Sequence, residues 1–156
     1  MFVTFLLIFA AVLCALSIAF FAGAESGMLS VSRARLLSLV RQGSRRAASL
    51  AQVVADMPRV ITTLLVGNNL AGVLASTLSA ALAIRLFPGR HLVQALWGVG
   101  AALFILFCCE YFPKLLFTTR PLRRTLMIVP AYRWAAYLLA PFVAVFSAFV
   151  RLVFHT

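Results

Sequence analysis

The feature that most constrains this chain is a series of apolar runs that are long enough to cross a lipid bilayer. Uncharged stretches cover residues 1–24, 60–84 and 92–109, and a fourth stretch, 125–150, contains only Arg133. A helix needs about 20 apolar residues to span the hydrocarbon core. The composition agrees, because the chain is 64% hydrophobic and only 11% charged. The sequence therefore predicts an all-α membrane protein.

The positive charge, a net +11, is concentrated between and after these runs. Six arginines lie between the first two runs, and a lysine and three arginines follow the third. Because cytoplasmic loops of membrane proteins are enriched in Lys and Arg, we expect an inner (plasma) membrane protein with its N-terminus outside. The same charges should attract anionic membrane lipids. Nucleic acid is not an expected partner, since the arginines follow the topology of the chain.

The helices that these runs predict cover about residues 5–29, about 59–84, and a third span from residue 92. Small residues recur every four positions on the first two helices: Ala11, Ala15, Ala19, Gly23 and Gly27 on the first, and Gly67, Ala71, Ala75, Ser79 and Ala83 on the second. Such ridges let membrane helices approach closely. We expect tight packing of the two helices, within one protomer or across a homodimer. The alternative is that alanine is simply common in this chain.

Two segments are expected at the inner membrane boundary. Residues 31–58 alternate apolar residues with arginines at helical spacing, which is typical of basic amphipathic helices on a membrane surface. Gly43 and Ser44 should divide this segment into two helices, with Ser44 as the cap of the second. Pro130 and Pro141 should interrupt the last segment, 130–154, which we expect to lie along the boundary as a belt-like helix. The alternative is that this segment crosses the membrane as a fourth span.

Three polar clusters lie inside the apolar runs: Glu25–Ser26, Asn68–Asn69 and Glu110. An ionisable group at membrane depth costs roughly 3 kcal/mol or more and indicates a functional site. With a rise of about 1.5 Å per residue, all three clusters fall in the inner half of the membrane and could converge. An Ala-Gly-Ala pattern before Glu25 also fits signal-peptide cleavage, but no Lys or Arg precedes the apolar run.

Each polar cluster has a helix-breaking residue beside it. Pro113 follows Glu110, Gly23 and Gly27 flank Glu25, and Gly67 precedes the asparagines. Broken helices at membrane depth free carbonyl oxygens that can bind cations. Carboxylate, amide and carbonyl oxygens are hard ligands that suit Mg²⁺, Ca²⁺ or Na⁺. The residues thus predict a cation site formed from the three clusters, with Glu110, the pair Asn68–Asn69 and the pair Glu25–Ser26 as candidate ligands.

Structural roles remain open for each cluster. Glu110 could pair with Lys114, four residues later on the helix. Glu25 could pair with Arg33 or another arginine at the inner surface, and Asn68 and Asn69 could join helices by hydrogen bonds. No nucleophile and base are arranged for catalysis, so an enzyme is not expected.

Three stretches, "FFAGAESGMLSVSRARL", "TLLVGNNLAGVLAS" and "EYFPKLL", resemble the signatures of the CNNM/CorC (cyclin M) transmembrane domain in order and spacing. The resemblance implies a single domain over residues 1–156, a homodimer with three spans per protomer, and Mg²⁺ transport, generally export, for which sodium coupling has been proposed. It places the cation site at the region from Ala22 to Ser26, at Asn68 and at Glu110.

The chain departs from the family pattern at several positions. Ala22 and Ala24 replace two serines, Gly72 replaces a frequent second asparagine, and Cys109 replaces a glycine. Family members usually carry a cytosolic CBS-pair domain, which nothing in this sequence could form. We therefore keep an alternative function: a non-transporting membrane subunit that dimerises with a relative containing CBS domains.

Overall fold

A computed structural model of the chain describes residues 1–154, with side chains described through residue 145 and at Ala148. Every regular element in this part is a helix, which confirms the all-α fold class. The elements are α1 (Phe2–Leu29), α2 (Arg33–Arg41), α3 (Arg45–Ala55), α4 (Met57–Leu86), α5 (His91–Phe104), a π-helical segment (Ile105–Tyr111), α6 (Phe112–Thr119) and α7 (Pro121–Phe154).

Among the described residues, four stretches are long and apolar enough to cross a membrane. Three of them are the predicted spans: α1, α4, and the continuous stretch His91–Thr119 that joins α5, the π-helical segment and α6. The fourth is Pro121–Val145 within α7, in the segment that we expect at the membrane boundary from the sequence. Many large apolar side chains, such as Phe5, Leu16 and Val73, are exposed on the outer faces of these helices, as expected for contact with lipid.

The small residues of α4 pack this helix against α1 within the chain. Ala71 and Ala75 of α4 are buried with Ile18 of α1 and Cys109 of the third span. A Cβ atom added to Gly67 would lie 2.6 Å from the ring of Phe21. The ridge on α4 is therefore a packing surface and not a consequence of composition alone.

The boundary segment forms the two predicted helices. Gly43, with a φ of +82°, turns the chain between α2 and α3, and Ser44 Oγ accepts a hydrogen bond from the N–H of Ala47 in the first turn of α3. Leu36 and Leu50 bury their side chains against Val129 of α7. Farther along α7, Arg133 Nη1 donates to Ser49 Oγ of α3 at 3.2 Å. The first part of α7 thus runs beside α2 and α3.

The helix breaks predicted at the prolines of the last segment and at the glycines of the first two spans do not occur. α7 continues through Pro130 and Pro141, which are both exposed. α1 and α4 also continue through their glycines. A Cβ atom at Gly23 would lie 2.7 Å from the Phe117 ring, and one at Gly27 would lie 2.6 Å from Thr125 Oγ1. These glycines are needed for close helix contact and not for chain breaks.

Candidate functional site

One lysine connects the two carboxylates of the membrane spans. Lys114 Nζ lies 3.4 Å from Glu25 Oε2 on α1 and 3.7 Å from Glu110 Oε1 on its own span. The alternative in which Glu110 pairs with Lys114 is therefore realised, whereas Glu25 pairs with Lys114 and with none of the arginines whose side chains are described. Both distances exceed the 2.7–2.9 Å that is typical of a tight charge-assisted hydrogen bond. The two contacts are loose, and they leave carboxylate oxygens available to another cation.

The third span widens into a π-helical turn where Glu110 lies. The N–H of Phe112 donates to the carbonyl of Phe107, five residues earlier. Pro113 follows, and its ring would collide with the carbonyl four residues earlier in a regular α-helix. The wider turn relieves that collision, and since proline has no N–H, one carbonyl of this turn lacks its amide donor. The prediction of a break at Pro113 is wrong, but such π-turns are frequent at functional sites.

Glu110 and Asn68 line the same cavity between α1, α4 and the third span. The cavity has a volume of about 430 Å³. Its remaining walls are formed by Ile18, Asn69, Gly72, Val73, Ser76, Thr77 and Ile105. Gly72 has no heavy atom within 4 Å of its would-be Cβ, so the missing side chain keeps this wall open. Glu25 and Ser26 do not line the cavity, and Glu25 reaches Glu110 only through Lys114.

The side-chain oxygen of Asn68 lacks a hydrogen-bond partner in the described part of this cavity. Its Oδ1 atom is buried and accepts no hydrogen bond from any described residue. Leaving a buried acceptor unsatisfied costs roughly 1–3 kcal/mol. A cation in the cavity would be a suitable partner for this oxygen, because amide oxygens are hard ligands. The alternative in which Asn68 joins helices by its side-chain oxygen is not realised among the described residues.

Two polar residues of the cavity, Ser76 and Thr77, were not singled out from the sequence. The helical spacing offers a signal, because positions seven and eight residues after Asn69 lie on the same face of α4. The hydroxyls of Ser76 and Thr77 donate to the carbonyls of Gly72 and Val73, at 2.9 and 2.8 Å. Each hydroxyl oxygen therefore still has lone pairs that can accept.

The chemistry of the cavity suits a hydrated cation. No group of three or more His, Cys, Asp or Glu side chains that could hold a metal occurs among the described residues. The oxygens on offer are one carboxylate, amide groups and hydroxyls. Such a set matches Mg²⁺, which retains several of its waters and uses one or two carboxylates. It does not match zinc or copper, which favour sulfur and nitrogen ligands.

These features define a helical membrane domain with a polar, carboxylate-bearing cavity between its spans. The chain belongs to the CNNM family, because the family model of the cyclin M transmembrane N-terminal domain matches residues 7–156. This is a transporter-type membrane family. The resemblance of the three sequence motifs is thereby confirmed.

Curated relatives occur in several bacteria. The chain is 35% identical over 96 residues to the UPF0053 inner membrane protein YfjD of Escherichia coli K12, covering 62% of this chain and 22% of that protein. It is 29% identical over 103 residues to a UPF0053 protein of Haemophilus influenzae, covering 66% of this chain and 24% of that protein. It is 28% identical over 148 residues to the uncharacterized protein MT1889 of Mycobacterium tuberculosis, covering 86% and 43%. The chain thus spans less than half the length of these relatives.

Proposed function

We propose that this chain is the ion-conducting domain of a divalent-cation transporter, with Mg²⁺ as its substrate. The observation that carries the proposal is that Glu110 and Asn68, whose side-chain oxygen has no partner among the described residues, line the same cavity at membrane depth. The carboxylate supplies charge and the amide supplies an oxygen that no described residue satisfies. Family membership supports this function, and we propose that the transporter exports the ion in exchange for Na⁺.

The charges around the cavity support a cation substrate. Glu25 and Glu110 contribute two negative charges and Lys114 contributes one positive charge, so this group carries a net −1. A divalent ion that displaces the Lys114 ammonium would face both carboxylates. We propose that Lys114 acts as an internal counter-ion, which neutralises the carboxylates when the ion is absent and moves away when it binds.

We propose that the chain functions as a homodimer in the inner membrane, with its N-terminus outside. The wall of α4 that carries Asn69, Ser76 and Thr77 is exposed in one protomer, although these polar residues lie within a candidate span. Polar groups are unfavourable against lipid, and a second protomer would cover them. The two basic segments would then face the cytoplasm, where anionic lipids and a CBS-containing region or relative are the proposed partners.

The test is Mg²⁺ flux into liposomes that contain only this chain, measured with a fluorescent Mg²⁺ indicator, with and without a Na⁺ gradient. Glu110→Gln keeps the size of the side chain and removes its charge, so flux should fall at least tenfold. Asn68→Ala should reduce flux less, because it removes a neutral ligand. Asp56→Asn is the matched control: it also removes one carboxylate, but at the cap of α4, where Asp56 accepts from the N–H of Arg59. Equal flux in wild type and Glu110→Gln would refute the proposal.

One observation favours the alternative of a non-transporting subunit. Lys114 already contacts both carboxylates, and a lysine that never leaves would keep a cation out of the site. In that case wild-type liposomes would show no flux, and Lys114→Gln would be the variant that gains Mg²⁺ binding. Flux in wild type at any rate above empty liposomes excludes this function.

A further inference from the structure

Four arginines line one groove at the end of the membrane spans, apart from the cation cavity. The groove has a volume of about 630 Å³ and lies between α2, α3 and the start of α7. Its arginines are Arg35, Arg46, Arg120 and Arg123. Its lining contains no Asp or Glu, and it includes four hydroxyl side chains, those of Ser30, Ser32, Ser44 and Thr119. We call this feature the arginine groove.

The charges of the arginine groove have no counter-charge within the described part of the chain. The two ion pairs in the described part of the chain are both formed by Lys114, which does not line the groove. The arginine side chains that donate hydrogen bonds to described residues are those of Arg124 and Arg133, which do not line the groove. Four neighbouring guanidinium groups repel one another. An anion bound among them would remove that repulsion and accept hydrogen bonds from several forks at once.

The position of the arginine groove indicates which anion fits. Ser30 directly follows the end of α1, and Thr119 is the last residue of the third span. The groove therefore lies where two membrane spans end, at the depth of lipid headgroups. Its walls also include the apolar side chains of Leu39, Leu126 and Met127, and Met127 is 58% exposed. A lipid has both a phosphate for the arginines and acyl chains for this apolar wall, whereas free phosphate has only the first.

We propose that the arginine groove binds the phosphate of an anionic phospholipid, with phosphatidylglycerol as the representative headgroup. The planar guanidinium fork matches two phosphate oxygens, which a point charge such as lysine does not. Binding there would join α2, α3 and α7 to the end of the first and third spans. Lipid binding in the arginine groove does not depend on cation transport. The groove is positively charged and would bind an anion, whereas the cation cavity contains a carboxylate and would bind a cation.

The test compares two double variants of the full chain in detergent, with EDTA present so that no divalent ion bridges lipid to protein. Arg46→Gln with Arg123→Gln removes two groove charges. Arg41→Gln with Arg45→Gln is the matched control, because it removes the same charge from exposed arginines that do not line the groove. Phosphatidylglycerol should raise the Tm of wild type and control by about 3–6 °C at saturation. The groove variant should lose at least half of that shift.

Three results would overturn the proposal. If the two double variants lose the same part of the Tm shift caused by phosphatidylglycerol, only the total charge matters. A shift from phosphatidylcholine as large as that from phosphatidylglycerol would show that the headgroup charge is irrelevant. An equal shift from inorganic phosphate would make free phosphate the ligand. If the first groove variant does not fold, Arg35→Gln with Arg120→Gln tests the same groove. Replacement of Arg46 and Arg123 by lysine should give an intermediate Tm shift, because the guanidinium forks are lost but the positive charge remains.

Discussion

The Lys114 ammonium lies 3.4 Å from the Glu25 carboxylate and thereby joins the third membrane span to the first. The lysine side chain is 37% exposed and that of Glu25 is 23% exposed, so the pair is neither buried tightly nor free in solvent. A half-buried ion pair of this kind can separate at a moderate cost in free energy, because its charges lose less electrostatic attraction than those of a fully desolvated pair. A site that exchanges the Lys114 ammonium for a transported cation needs an ion pair that can separate in this way.

Removal of the lysine charge should strengthen Mg²⁺ binding. Without the ammonium, Glu25 and Glu110 repel each other, and a divalent ion gains their full attraction. Lys114→Gln should therefore have a lower Tm than wild type without Mg²⁺ and an apparent Mg²⁺ affinity about tenfold higher. Thermal unfolding across a Mg²⁺ titration measures both effects. Lys114→Arg retains the charge and serves as the control, and an unchanged affinity in Lys114→Gln would show that Lys114 does not compete with the ion.

A serine at position 22 should add a ligand oxygen near the cavity. Ala22 is fully buried and lies one helical turn after Ile18, which lines the cavity wall. Because positions i and i+4 share a helix face, the Ala22→Ser hydroxyl should extend the polar wall toward Glu25. We expect a several-fold gain in Mg²⁺ affinity, measured by the same titration.

Ala24→Ser provides the matched control for that substitution. Ala24 is equally buried, but it packs in an apolar cluster with Met28, Leu64 and Tyr132. A hydroxyl there gains no cation and should only lower the Tm, because burying a polar group without a strong partner is unfavourable. A gain in affinity from Ala24→Ser and none from Ala22→Ser would contradict this assignment of faces.

The contact between α1 and α4 should depend on the absence of a side chain at Gly67. A Cβ atom there would lie 2.6 Å from the Phe21 ring and 2.9 Å from Leu139, so Gly67→Ala should lower stability by about 1–3 kcal/mol. Gly100→Ala is the control, because no heavy atom lies within 4 Å of its would-be Cβ. Urea or thermal unfolding in detergent compares the two. A Gly67→Ala protein as stable as Gly100→Ala would show that the two helices can separate without cost.

The membrane orientation can be tested by single cysteines in a variant without Cys14, Cys108 and Cys109. Gln42→Cys and Pro88→Cys suit the test, since both residues are exposed and neither has the positive φ of Gly43 or Gly89. In intact cells an impermeant maleimide should label position 88 and not position 42, which should react only after permeabilisation. Labelling at position 42 from outside would reverse the proposed topology.

The apolar runs and the spacing of the arginines determined the helical membrane fold, the three predicted spans and the two boundary helices. These features follow from the length of each run and from helical periodicity, which are properties of local sequence. The sequence also identified Glu110 and Asn68 as residues of interest, because polar groups at membrane depth are costly wherever they lie along a helix.

The tertiary structure alone decided how the helix-breaking residues and charges are used. Gly23 and Gly67 are close-contact positions because the rings of Phe117 and Phe21, distant in sequence, pack on them. Pro113 widens its helix into a π-turn and does not end it. Lys114 reaches Glu25 because α1 and α6 are neighbours, a relationship that no local pattern records. Partners from separate helices depend on how those helices pack, and packing is set by side-chain shapes across the whole fold.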